Sequence, residues 1–139
     1  MEVTILALAA AAPFLLWPVE ILFPYPHLFE EILKLILVLL ILKSSGKVSK
    51  KIILGVKLGI VFAFSESILY FLNIFQIGQP SLFFQRLALT IPLHATTIIV
   101  ILLSGWKKKE LMIIGFLLAV VLHYLYNLAI GEYFSGLIH

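Results

Sequence analysis

Residues 51–75 read KIILGVKLGIVFAFSESILYFLNIF, a stretch in which only Lys51, Lys57 and Glu66 carry charge. A helix needs about 20 mostly apolar residues to cross a bilayer, so this stretch predicts a membrane-spanning helix. Runs of the same kind flank it at residues 3–23, 28–43, 81–104 and 110–131. The fold class that follows is all-α, a polytopic transmembrane helix bundle of about five spans in one transmembrane domain over residues 1–139. The breaks have chemical causes. Pro24 and Pro26 flank Tyr25, residues 44–50 are polar with a glycine, residues 78–80 form a turn with Gly78 and Pro80, and residues 104–109 are basic. Pro13 and Pro18 predict kinks in the first span, whose freed carbonyls a neighbouring helix can satisfy.

Composition agrees with that reading. Hydrophobic residues make up 63% of the chain and charged ones 12%, against about 45–50% and roughly 25% in a soluble domain. No cysteine is present, which excludes disulfides and thiolate metal sites and leaves His and Glu as metal ligands. The net charge of +3 does not indicate a nucleic-acid partner, because the basic residues fall in short segments between apolar runs. Seven of the ten, Lys43, Lys47, Lys50, Lys51, Lys107, Lys108 and Lys109, lie after the second and fourth spans. Those two loops are expected to be cytoplasmic. Five spans then put the N-terminus inside and residues 132–139 outside. The small residues 7–12 resemble part of a signal peptide, but no Lys or Arg precedes them, so a retained first span is expected.

An ionisable side chain at the bilayer centre costs about 2.5–3.5 kcal/mol on insertion scales, so such groups usually face the bundle interior and serve a purpose. Glu30-Glu31-x-x-Lys34 opens the second span, with Lys34 in helical reach of either carboxylate. A charged helix start beside the positive dipole end is the plainer explanation. Phe62-x-x-x-Glu66-x-x-x-Tyr70 lies in the third span, with Asn73 further along the stripe. Glu66 has no sequence-local cation, so it must be protonated, paired across the bundle or bound to a metal. Arg86, Thr90, His94 and Thr97 share one face of the fourth span. His123 and Asn127 form an i,i+4 pair in the last. Arg86 alone reads as snorkelling to the interface, and His27 and His139 as span-end residues without a chemical role.

Depth tests whether these groups can meet. At about 1.5 Å of rise per residue, Glu31 lies roughly 5 Å from the outer end of its span, His123 about 12 Å, Glu66 about 14 Å and His94 about 20 Å. Four helices can therefore converge on one site opening outward. Peptide hydrolysis needs activated water, a stabilised oxyanion and a protonated leaving amine, and this set offers two routes. In one, His94, His123 and a carboxylate, Glu66 or Glu31, hold Zn2+ while another Glu takes the water proton. In the other, Glu31 and His94 activate water without a metal, and His123 and Asn127 stabilise the oxyanion.

Glu30-Glu31-x-x-Lys34, Phe62-x-x-x-Glu66-x-x-x-Tyr70, Arg86-x5-Pro92-x-His94 and His123-x-x-Tyr126-Asn127 resemble, in order, the motifs of PrsW-family intramembrane proteases. Related groups are the CAAX prenyl endopeptidases, bacteriocin-immunity proteins and the scaffold subunit of gamma-secretase. The resemblance implies an intramembrane endopeptidase acting on a membrane-associated protein from the extracytoplasmic side. It implies catalytic roles for Glu30, Glu31, Glu66, His94, His123 and Asn127, with Lys34, Tyr70 and Arg86 in support. Family members commonly carry extra spans, so a homo-oligomer completing the seal against lipid is compatible with this shorter chain. Two other readings use the same residues: a non-catalytic scaffold like the gamma-secretase subunit, and an ion or proton carrier. A carrier needs a polar path to both faces, and the inner halves of the spans are almost purely apolar, with Lys57 the main exception.

Overall fold

The computed structural model describes the backbone of residues 1–76 and 80–137, and side chains there except at 20, 72–75, 107 and 132–137. Five helices follow one another: α1 (Glu2–Leu22), α2 (Pro26–Lys43), α3 (Val48–Gln76), α4 (Ser81–Lys107) and α5 (Lys109–Leu137), with no strand among the described residues. The chain is a multi-pass, all-helical membrane protein. Among the described residues, four helices are long and apolar enough to cross a bilayer by themselves. The exception is α2, whose 18 residues include Glu30, Glu31, Lys34 and Lys43.

The position of α2 explains how it tolerates that charge. It packs against each of the other four helices, so its polar stripe meets protein rather than lipid. The other helices turn apolar faces outward, as with Leu15 and Ile21 on α1 or Ile113, Leu117 and Val121 on α5.

The bundle interior is layered. One half is an apolar core of Ile5, Ala9, Leu37, Val38, Ile41, Leu54, Leu58, Ile98, Ile101, Leu102, Met112 and Ala119. The other half contains the buried polar groups Glu30, Glu31, Lys34, Glu66, Thr90, His94, Thr97 and His123. Helices α2 to α5 contribute to both layers, with the order of polar and apolar residues reversed between α2 and α3, whereas α1 adds only Ile5 and Ala9 to the apolar one. The N-terminus lies at the apolar-core end with the lysine-bearing turns: Lys57 pairs with Glu2 at 2.8 Å on the surface, and Met1 and Glu2 border one cavity with Ser44, Lys50 and Lys51.

Glycine sets the α3–α4 spacing. A Cβ on Gly59 would lie 2.6 Å from the Ala95 Cα and 2.9 Å from the His94 carbonyl carbon, so the two backbones touch at the residue that carries an imidazole. Gly59→Ala must push the helices apart. Overpacking costs about 1–3 kcal/mol, enough to outweigh the roughly 1 kcal/mol that alanine gains in helix propensity. A lower melting temperature in detergent is expected, whereas Gly131→Ala, with nothing within 4 Å of its Cβ, should show no loss.

Candidate active site

The stripe that α2 presents begins earlier than its apolar run. Pro26 sits in the first helical turn, where its missing N–H is not needed. His27, Glu30, Glu31 and Lys34 then follow at i, i+3, i+4 and i+7, all buried, and Leu37, Val38 and Ile41 continue the same face into the apolar layer. The helix thus carries its polar and apolar groups inward on one seam.

Two imidazoles meet this stripe from α4 and α5. On α5, His123 Nδ1 donates to Glu31 Oε1 at 2.7 Å, and the same oxygen accepts from Lys34 Nζ at 2.5 Å. Lys34 is fully buried, reaches Thr97 Oγ1 at 3.4 Å and stands 5.1 Å from the centre of the Phe62 ring. On α4, His94 Nε2 donates to Glu66 Oε2 at 2.6 Å. The other Glu66 oxygen accepts from Arg86 Nη2 at 2.9 Å, and Arg86 lies 3.8 Å over the Tyr70 ring. Glu66 is therefore paired across the bundle, one of the three outcomes open to it.

Each imidazole consequently has one nitrogen held by a carboxylate. The other nitrogens remain: His123 Nε2 is 3.8 Å from Glu30 Oε2, and His94 Nδ1 is buried with no hydrogen-bond partner among the described residues. The two rings stand nearly perpendicular, 5.3 Å apart. Glu30, His94 and His123 each offer one ligand atom, and these atoms lie within 4.8 Å of one another. A carboxylate on one imidazole nitrogen fixes the tautomer and leaves the lone pair on the other. Two such nitrogens and one carboxylate oxygen match the donor set of catalytic zinc sites, so the residues fit a divalent metal.

Most of the residues singled out in the sequence come together here: Glu30, Glu31, Lys34, Glu66, Tyr70, Arg86, His94 and His123. Their arrangement differs from the expectation in two respects. Glu31 and Glu66, expected among the ligands, face imidazole nitrogens, and Glu30 is the carboxylate of the three-membered group. Asn127 stays outside the cluster. It is exposed, one turn closer to the helix end than His123, and lines a cavity of about 250 Å3 with Tyr25, His27 and Tyr124. The Asn73 side chain and residue 139 lie outside the described residues.

Two features escaped the sequence reading. His27 is buried, with its ring 6.1 Å from that of His123 and 5.4 Å from that of Tyr124. Its i,i+3 and i,i+4 spacing to Glu30 and Glu31 was the available signal. Tyr126 hydrogen-bonds Thr90 at 2.9 Å, tying α5 to α4 beside the imidazoles.

Comparison with known proteins points the same way. The sequence model of a family described as PrsW family intramembrane metalloprotease matches residues 21–138, which takes in α2 to α5 and every group of the cluster. No curated protein and no solved structure matches the chain. Since the family match covers most of the sequence and includes the helices that carry Glu30, Glu31, Glu66, His94 and His123, the chain belongs to the PrsW family of intramembrane metalloproteases.

Proposed function

We propose that this protein hydrolyses a peptide bond of a membrane-associated substrate at the centre formed by Glu30, His94 and His123. The observation that carries the reading is the paired anchoring of the imidazoles, each bound to a carboxylate on one nitrogen while the remaining donors gather with Glu30 within 4.8 Å. These three residues would hold a divalent ion, with Zn2+ favoured by the mixed nitrogen and oxygen set. When bound, such an ion supplies Lewis acidity that acidifies water and polarises a peptide carbonyl.

The chain's own groups have separate tasks. Glu66, clamped by Arg86, orients His94. Glu31 Oε1 orients His123, and Lys34 balances the carboxylate charge. Glu31 Oε2 is buried with no hydrogen-bond partner among the described residues. That oxygen accepts a proton from the attacking water and delivers it to the leaving amine. Asn127, at the rim of the cavity beside His27 and Tyr124, contacts the substrate backbone rather than the reacting atoms.

Orientation follows from charge. The lysine-rich turns belong in the cytoplasm, so the polar layer opens toward the extracytoplasmic face and the N-terminus lies inside. The test is a panel of membrane-tethered peptides presented to the chain in proteoliposomes. Cleavage of a panel member is expected to stop when phenanthroline removes the metal and to resume with added Zn2+. Cleavage that continues at full rate in the chelator contradicts the metal assignment.

A further inference from the structure

At the opposite end of the bundle from the histidines, a cavity of about 610 Å3 is lined by Lys43, Lys51, Lys108 and Lys109 together with Leu39, Leu42, Gly105, Trp106 and Met112. We propose that it binds the phosphate headgroup and upper acyl chain of an anionic phospholipid.

Three features of the cavity support that ligand. Its volume falls in the range of about 300–1,000 Å3 usual for small-molecule sites. No carboxylate is among its described lining residues, so four lysines border the space without a neighbouring acid to balance their charge, which favours an anion. The remaining wall is apolar, with leucine and methionine side chains and the half-exposed Trp106 ring. Aromatic rings of this kind sit at the headgroup level, and basic pockets between helix ends are the usual form of anionic-headgroup sites. Free phosphate would use the ammonium groups but leave the apolar wall without a partner.

The pocket is also held in shape. Lys51 is buried, donates to the Leu42 carbonyl oxygen at 2.7 Å and lies 5.3 Å from the centre of the Trp106 ring. It fixes the end of α2 against α3 and α4. Gly105 keeps the wall thin, since a Cβ there would lie 2.7 Å from Met112 Sδ and 3.1 Å from Leu42 Cδ1. Lys43, Lys108 and Lys109 are exposed and free to turn toward a headgroup. The lining residues come from α2, α3, the end of α4 and the start of α5, so one bound lipid would join the ends of four helices.

The experiment uses the full chain with Trp17→Phe, which leaves Trp106 as the single tryptophan. It is reconstituted in phosphatidylcholine vesicles containing, at equal mole fraction, phosphatidylglycerol or phosphatidylcholine brominated near the glycerol. Trp106 emission is expected to be quenched more strongly by the brominated phosphatidylglycerol. Each lysine near a membrane surface contributes about fivefold in affinity, so K43Q/K108Q/K109Q should weaken the preference roughly a hundredfold. All three side chains are exposed, so the fold is retained, and the variant's circular dichroism should match that of the parent. Added inorganic phosphate should leave the quenching unchanged. Equal quenching by the two lipids, a preference that survives in the triple variant, or relief of quenching by inorganic phosphate would each overturn the proposal. The readout does not involve proteolysis.

Discussion

Replacing His94 with alanine is expected to abolish zinc retention and to lower peptide cleavage on the order of 10⁴-fold, the scale seen when one member of a catalytic unit is removed. The large effect follows from the position of the ring. His94 is fully buried, packs 5.0 Å from the Phe62 ring, and has its Nε2 committed to Glu66. Only Nδ1 is left to serve the centre. The fold should survive, because Glu66 keeps its ion pair with Arg86 and the α3–α4 backbones still meet at Gly59. Glu66→Gln provides the contrast. It disturbs a group acting on His94 rather than the centre itself, and such outer partners are worth about 10–100-fold in metal affinity. Metal content, cleavage rate and melting temperature of both variants separate the two roles. Undiminished zinc and cleavage in His94→Ala would contradict the assignment.

Glu31→Gln is expected to reduce cleavage about a thousandfold, in keeping with loss of a general base, while also destabilising the bundle. The second effect has its own cause. Lys34 is fully buried and its ammonium relies on Glu31 for charge balance; removing one partner of a buried pair costs about 3–5 kcal/mol. Lys34→Met in the same chain removes the orphaned charge, so Glu31→Gln/Lys34→Met should recover most of the melting temperature without recovering activity. Recovery of both would make Glu31 a structural residue only.

The helical fold was readable because bilayer thickness dictates the length of apolar runs, and residues 51–75 or 110–131 match it without help from tertiary structure. The start of α2 was less legible. Counting apolar residues begins that run at 28, yet the buried stripe starts at His27, because shielding by the other helices rather than by hydrophobicity decides what α2 can bury.

Within the site, spacing along each helix identified the groups but not their pairing. Adjacent residues point about 100° apart on a helix, so Glu30 and Glu31 could not be told apart until the approach of α5 brought His123 Nδ1 to Glu31. The partner of Glu66 likewise depended on the register between α3 and α4. Direct backbone contact at Gly59 and Ala95 fixes that register, and no local pattern encodes it. Asn127 shows the converse: helical spacing from His123 suggested a shared task, but the extra turn carries it to the surface.

X-ray absorption at the zinc edge, on the purified chain loaded with one equivalent of Zn2+, addresses the centre most directly. The predicted spectrum has two imidazole nitrogens and carboxylate oxygen around the metal, and the imidazole signal is lost in His94→Ala and in His123→Ala because neither variant retains the ion. A spectrum without imidazole, or one that neither substitution changes, would mean that Glu30, His94 and His123 do not form a metal centre.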